Sequence, residues 1–215
     1  MTRLAIFDCD GTLVDSQAHV CDVMEQVFRT YNLPVPSRNE IRRTVGLSLS
    51  KAISYLSDNI EDQILHSLVS EYKTRFKALR DNGVLQEPLY DGIRDLLSSI
   101  KSEGWLLAIA TGKSSRGLKA CLEHHKLQDL FVSLQTADQN PSKPNTQMLE
   151  AILFEAGVER QEAVMVGDTI FDIFMARDAG LRAIGVAWGY HSPKELLDAG
   201  AEVIADNAGH LKELL

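Results

Sequence analysis

The stretch RLAIFDCDGT, residues 3–12, decides how the rest of the chain is interpreted. Its apolar half ends abruptly at two acids and a glycine, and a short apolar run bounded by a turn signal is typical of a buried strand. In extended geometry, Asp8 and Asp10 lie on one face of the chain, and Gly11 permits a turn that directs backbone N–H groups toward an anion. The stretch therefore predicts a strand that delivers two carboxylates to one edge of a sheet.

The pattern changes after Asp15. Apolar residues recur at spacings of three and four from Val20 to Tyr31, and again from Ile60 to Leu79, as they do on one face of an amphipathic helix. Shorter helical pieces are predicted around residues 38–44 and 50–56. We therefore expect an all-helical insert over residues 16–84, which interrupts a core made of residues 1–15 and 85–215.

Beyond Pro88, predicted helices alternate with short apolar runs. These runs lie at 105–110, 131–135, 163–166, 183–187 and 202–205. Regular alternation with unbroken apolar strands predicts a parallel sheet covered by helices on both faces. The expected fold class is therefore α/β, a doubly wound, Rossmann-like parallel sheet that carries the helical insert as a cap.

Polar residues follow several of the predicted strands. In an open parallel sheet, ligands bind at the carboxyl ends of the strands, so residues just after each strand are candidates for a site. Besides Asp8 and Asp10, these candidates are Thr111, Gly112, Lys143, Asp168 and Asp172.

This set of side chains is suited to phosphoryl transfer. Clustered carboxylates raise one another's pKa unless a cation neutralises them, and hard oxygen ligands select Mg²⁺. A carboxylate beside such an ion can attack phosphorus, and Asp10 is placed to act as general acid and base. Thr111, the Gly112 N–H and Lys143 would hold the phosphoryl oxygens.

Four segments in this order resemble the motifs of the haloacid dehalogenase superfamily of aspartyl-phosphate phosphatases. They are DCDGTLVDS at 8–16, TGK at 111–113, the lysine of SKP at 142–144, and GDTIFD at 167–172. The subgroup looks like the phosphoglycolate phosphatase and β-phosphoglucomutase relatives, whose cap is a helical bundle in the same place.

The resemblance implies a role for each matching residue. Asp8 would be the nucleophile and Asp10 the general acid and base. Mg²⁺ would be held by the Asp8 carboxylate, the Asp10 main-chain carbonyl and Asp168, with Asp172 in support. Thr111 and Lys143 would bind phosphate. The implied function is Mg²⁺-dependent hydrolysis of a small phosphorylated metabolite through an aspartyl-phosphate.

Other functions fit parts of the same pattern. A sugar phosphomutase would return the phosphoryl group to the substrate, and a catalytically silent protein would only bind phosphate. A signalling receiver domain also combines acids, a threonine and a lysine, but it is a single small domain without a helical insert. The TGKS segment resembles the end of a P-loop, yet position 107 is Leu where that motif needs Gly, so a nucleotide triphosphatase is rejected.

Composition limits the partners. The 215 residues carry 22 Lys and Arg against 30 Asp and Glu, a net charge of -8, which argues against nucleic acid as a partner. The apolar runs are too short for a membrane span or a signal peptide. Three cysteines without a CxxC pair suit a reducing cytosol, so we expect a cytoplasmic protein of undetermined oligomeric state.

Charge divides unevenly between the two parts of the chain. Residues 16–84 hold 9 Lys and Arg and 8 Asp and Glu, a net of +1, which leaves -9 for the remainder. A near-neutral insert over an acidic site suits an anionic substrate accompanied by a metal ion. Arg42 and Arg43 precede a loop, residues 44–47, that in relatives faces the active site. They are candidate substrate contacts, and the alternative is a solvated helix face.

Overall fold

A computed structural model describes residues 2–57 and 60–215, and within them the chain forms six strands and ten α-helices. Met1, Asp58 and Asn59 lie outside the described residues, the last two within the predicted insert. None of the helices in the described ranges combines the length and apolar character that a membrane crossing requires.

The strands form one parallel sheet in the order β3-β2-β1-β4-β5-β6. Their bounds are β1 Leu4–Phe7, β2 Leu106–Thr111, β3 Ser133–Thr136, β4 Ala163–Gly167, β5 Arg182–Val186 and β6 Val203–Ala205. This is the doubly wound order of a Rossmann-like fold, so the predicted fold class is confirmed. Strand ends differ from the predicted runs by one or two residues, because pairing with the neighbouring strand sets them.

The register brings the functional strand ends to one place. Phe7 lies opposite Ile109 of β2 on one side and Val166 of β4 on the other. The Asp8 N–H donates to the Val166 carbonyl at 2.9 Å, which extends the ladder by one residue. Residues that follow β1, β2 and β4 therefore emerge at the same edge, beside the point where the strand order reverses.

Alternation along β1 divides the core into two layers. Leu4 and Ile6 pack on the side of α7, α8 and α9, whereas Ala5, Phe7 and Cys9 pack on the side of α5, α6 and α10. The bounds of these helices are α5 Ile93–Ser102, α6 Ser115–His125, α7 Gln147–Ala156, α8 Ile170–Asp178, α9 Pro193–Ala199 and α10 Ala208–Leu214. Cys9 is thus a packing residue, as expected for a side chain that points away from its neighbour Asp8.

Four helices separate β1 from α5: α1 Gln17–Thr30, α2 Arg38–Arg43, α3 Leu49–Leu56 and α4 Asp62–Asp81. Their apolar faces meet in a core of their own, which includes Val27, Phe28, Ile53 and Leu68. Ser37 begins α2 with a capping box, in which it and Glu40 satisfy each other's backbone N–H groups. We call residues 16–84 the insert.

Candidate active site

Four charged side chains lie fully buried at the carboxyl edge of the sheet: Asp8, Lys143, Asp168 and Asp172. Asp8 directly follows β1, Asp168 directly follows β4, and Asp172 lies in the first turn of α8. The Lys143 Nζ is 2.9 Å from Asp8 Oδ1 and 2.6 Å from Asp172 Oδ1. The structure therefore brings together four of the predicted site residues, from three separate segments of the chain.

The Asp168 carboxylate is fixed from two sides. The Thr12 hydroxyl donates to Oδ1 at 3.0 Å, and the Tyr190 N–H donates to Oδ2 at 2.9 Å. Gly11, at φ +86°, passes so close that a Cβ there would lie 2.2 Å from Asp168 Oδ2. Only glycine fits this turn, because any other residue would meet both the left-handed backbone and the carboxylate.

Asp172 has two partners at once. Its Oδ2 accepts from the Thr169 N–H at 3.1 Å and the Thr169 hydroxyl at 2.7 Å, which caps α8. Its Oδ1 accepts from Lys143. The helix-cap and lysine-pairing interpretations of this residue are therefore compatible, and the cap fixes the carboxylate in position to hold the lysine.

The buried cluster has more negative than positive charge. Three carboxylates against one ammonium leave a formal charge of -2 in a region with no exposed side-chain surface. Burial raises the pKa of Asp8 to about 7 despite the attraction of Lys143, and burial together with Asp8 and Asp172 raises the pKa of Asp168 well above its ordinary value. Asp8 Oδ2 is buried and has no hydrogen-bond partner among the described residues.

These features fit a divalent cation. Asp8, Asp168 and Asp172 each offer a carboxylate oxygen, and these oxygens lie within 4.8 Å of one another. A charge of +2 would balance the cluster, and it would complete the coordination that the protein leaves open at Asp8 Oδ2.

Asp10 belongs to a second, separate cluster. Its Oδ1 is 2.6 Å from the Lys113 Nζ, which also lies 2.7 Å from Glu87 Oε1. Burial lowers the pKa of Lys113, but attraction by Asp10 and Glu87 outweighs it and the net shift is well upward. Asp8 and Asp10 are thus two residues apart in sequence, yet each has its own lysine.

Sequence reasoning missed this second cluster. Lys113 directly follows the predicted Thr111-Gly112 pair, and its place after β2 is the feature of the sequence that could have identified it as a site residue. Glu87 lies in the segment between α4 and α5, where no pattern distinguished it from a solvated linker residue. Its contact with Lys113 depends on how that segment returns to the sheet, which the local sequence does not specify.

Thr111 and Gly112 lie beneath the insert. Thr111 is the buried last residue of β2, and its hydroxyl accepts from the Lys113 N–H at 3.2 Å. A Cβ at Gly112 would lie 2.7 Å from the Gly46 carbonyl oxygen and 2.6 Å from that of Leu47. The insert loop therefore rests directly on this turn, which leaves room for glycine and for no larger residue.

A cavity of about 600 Å³ lies between the insert and the core. Asp10, Gly112 and Lys113 line its core side, and residues of α1, α3 and α4 line the insert side. The site thus has a buried, charged part at Asp8 and a cavity that begins at Asp10.

The two predicted insert arginines lie away from this cavity wall. The Arg43 guanidinium is 2.7 Å from Glu195 of α9, and the His191 ring nitrogen lies 3.3 Å from the Arg43 carbonyl. Arg42 Nε is buried without a hydrogen-bond partner in the described part of the chain. In this arrangement Arg43 joins the insert to the core, because Glu195 pairs with its charge, and neither arginine lines the cavity.

Comparison with known proteins agrees with the geometry. The chain is similar to "Probable phosphatase IndB" of Dickeya dadantii (strain 3937), at 36% identity over 211 residues that cover 96% of this chain and 90% of that protein. It is 28% identical over 222 residues to a "Phosphoglycolate phosphatase" of Vibrio parahaemolyticus, covering 99% of this chain and 96% of that one.

Solved structures share the fold over the whole chain. The crystal structure of a "predicted phosphatase" from Clostridium acetobutylicum superposes with a TM-score of 0.87 at 28% identity, covering 100% of this chain and 98% of that one. The sequence profile of "Haloacid dehalogenase-like hydrolase" matches residues 5–186. The chain therefore belongs to the haloacid dehalogenase-like hydrolase family, as its motifs predicted.

Proposed function

We propose that this hydrolase is a Mg²⁺-dependent phosphatase that cleaves a small phosphorylated metabolite through an aspartyl-phosphate on Asp8. The observation that carries the proposal is the buried cluster of Asp8, Asp168, Asp172 and Lys143, whose net charge of -2 and open Asp8 oxygen match a divalent cation and a phosphoryl group. The names of the relatives, two of which are called phosphatases, support the same reaction.

Mg²⁺ would be held by the carboxylates of Asp8 and Asp168 and the Asp10 carbonyl, with Asp172 in support. When bound, it would neutralise the repulsion between the carboxylates and a phosphate dianion. Lys143 contributes a fixed positive charge beside Asp8, and Thr111 and the Gly112 N–H would donate to phosphoryl oxygens.

Two transfers complete the reaction. A carboxylate oxygen of Asp8 attacks phosphorus, the ester P–O bond breaks, and Asp10 gives its proton to the leaving alcohol oxygen. Water then attacks the phosphorus of the aspartyl-phosphate, Asp10 takes a proton from it, and phosphate leaves with Asp8 restored. The insert rests on Gly112 and Ser142 and excludes bulk water while these steps occur.

Lys113 is a positioning residue in this proposal. It binds Asp10 Oδ1, while Asp10 Oδ2 has no hydrogen-bond partner among the described residues and Asp10 lines the cavity. The free oxygen is therefore the one available to the leaving group. Glu87, in the segment that joins the insert to the core, binds the same ammonium. It thereby helps to fix Lys113, which in turn orients the Asp10 carboxyl group.

The first test is phosphate release from a panel of phosphomonoesters. Asp8→Asn keeps the shape of the side chain but removes the attacking anion, so turnover should fall by at least about 10³-fold. EDTA should abolish wild-type turnover, and Mg²⁺ should restore it better than the larger Ca²⁺. Asp95→Asn, an exposed change on α5, is the matched control. Residual activity of Asp8→Asn above a tenth of wild type would contradict the covalent route.

A second prediction concerns pH and stability without metal. The pKa of Asp8 is about 7 in the folded protein and 3.8 as a free side chain, so folding favours its neutral form. Its contribution to stability is present below pH 4 and is lost as pH rises through 7, by roughly 4 kcal/mol in all. Urea unfolding in EDTA should show a shallower loss between pH 5 and 8 for Asp8→Asn than for wild type. Mg²⁺ should reverse the wild-type loss at pH 8, and equal slopes in both proteins would refute the assignment.

The third prediction isolates Lys113. Lys113→Met should lower kcat/KM for an alkyl phosphate by about 10²-fold, because the alkoxide needs a proton from a well-placed acid. The loss for p-nitrophenyl phosphate should stay within about 3-fold, since that leaving group departs without a proton. Lys119→Met, a change at an exposed lysine of α6, serves as the matched control.

Removal of one cation could also unfold the protein. Lys113→Met alone leaves the carboxylates of Asp10 and Glu87 facing each other. The double variant Lys113→Met/Glu87→Gln removes one charge of each sign and so avoids this repulsion. Equal losses on both esters in a folded variant would contradict a role of Lys113 that is specific to the leaving group.

A further inference from the structure

The size and lining of the cavity between the insert and the core constrain which leaving group can bind there. Asp10 lines the cavity and, under the proposed function, gives its proton to the departing alcohol. The organic part of the substrate must therefore extend from Asp10 into this space. Its volume, about 600 Å³, is in the range of pockets for drug-sized molecules, roughly 300–1,000 Å³. A two-carbon acid would leave most of it to water.

One wall of the cavity is apolar and partly aromatic. Tyr72 and Phe76 of α4 stack with ring centroids 5.5 Å apart and planes 17° from parallel. The other apolar side chains of this wall are Val20, Met24, Val45, Leu47, Leu49 and Val69. A wall of this kind gains free energy by covering an apolar or planar body, whereas a fully hydroxylated chain would leave its hydrogen-bonding groups unsatisfied against it.

Four basic side chains also line the cavity. Lys73, Lys77 and Arg80 follow one another along α4 at helical spacing, and Arg116 faces them from the first turn of α6. Arg80 reaches α6, with its Nη2 3.7 Å from where a Gly117 Cβ would lie. The same face of α4 therefore supplies the aromatic wall and the positive charges.

Most of this positive charge is not neutralised by the protein. Lys77 pairs with Asp81, but Lys73, Arg80 and Arg116 form no ion pair with any residue in the described ranges. Asp138 also lines the cavity, but its carboxylate accepts hydrogen bonds from Ser115 and Thr136 and forms no ion pair among the described residues. Basic side chains that line one cavity repel each other, and an anion bound among them would relieve the repulsion.

We propose that the preferred substrate is a phosphomonoester whose alcohol part combines an apolar, ring-sized body with a second anionic group, a carboxylate or a second phosphate. This inference rests on the proposed function and names its substrate class. The phosphoryl group binds at Asp8, the ring lies against Tyr72 and Phe76, and the second anion meets Lys73, Arg80 and Arg116.

Matched aryl esters test the charge separately from the shape. 4-Carboxyphenyl phosphate and 4-carbamoylphenyl phosphate differ by one charge at nearly constant size, and 4-phosphonophenyl phosphate carries the second anion as a phosphonate. We expect kcat/KM for the better of the two anionic esters to exceed that for the amide by about 10-fold or more. Whichever anion gives the larger ratio identifies the class of the second group.

Two variants locate the effect. In Lys73→Ala/Arg116→Ala the ratio of anionic to amide ester should fall toward 1, whereas Lys119→Ala, which removes an exposed charge one turn along α6, should keep it. Each ratio is measured within one protein preparation, so partial loss of folded enzyme does not alter it. A collapse of the ratio in Lys119→Ala as well would reduce the effect to net charge and overturn the assignment.

Failure of this inference is distinguishable from failure of the proposed function. If wild type hydrolyses the amide ester in an Asp8-dependent way but both ratios are near 1, the phosphatase stands and the second-anion site is wrong. If phosphoglycolate gives a kcat/KM about 10-fold above every aryl ester, the ring-sized body is wrong. If no ester is hydrolysed, both proposals fall together.

Discussion

The ammonium of Lys143, which has no exposed surface and lies between the carboxylates of Asp8 and Asp172, is the interaction on which the rest of the site depends. A buried charge is costly to desolvate unless partners surround it, and loss of one partner leaves the others uncompensated. To keep both contacts of Lys143, the ends of β1 and β4, the start of α8 and the loop before α7 must hold fixed positions relative to one another. The sheet register supplies that meeting point, because Phe7 is aligned with both Ile109 and Val166.

One lysine does not neutralise three carboxylates. The remaining charge of -2 would be balanced by a divalent cation. Without one, the ionised cluster is destabilised, as the raised pKa values of Asp8 and Asp168 indicate. Stability and function oppose each other here, since the charges that destabilise the empty cluster are those that would bind metal and phosphate. The second cluster, Asp10 with Lys113 and Glu87, is better balanced and faces the cavity. Under the proposed function, the two clusters would separate the chemistry at phosphorus from the chemistry at the leaving group.

The sequence was most informative where the site residues lie directly beside a strand or a turn that the local pattern predicts. The apolar run before Asp8, the glycine at position 11 and the acids at 168 and 172 were sufficient to predict the strand, the turn and the buried cluster, because each follows from local pattern and strand order. The pairing of Arg43 with Glu195 could not be predicted, since it depends on how the insert docks on α9. The pairing of Lys113 with Glu87 depends on how the segment after α4 returns to the sheet. The position of the basic face of α4 over the cavity depends on how the insert docks on the core. Local patterns specify elements, whereas contacts between the insert and the core are set by tertiary geometry.

The claim on which the proposed mechanism depends most is that a carboxylate oxygen of Asp8 forms a bond to phosphorus during turnover. Its most direct test is to quench the enzyme with acid during steady-state hydrolysis of a ³²P-labelled ester, reduce the product with borohydride, and map it by mass spectrometry. The label should be protein-bound in wild type, and residue 8 should be converted to homoserine in proportion to the label. Labelling at any other residue, or turnover of a good substrate with residue 8 unmodified throughout, would contradict it.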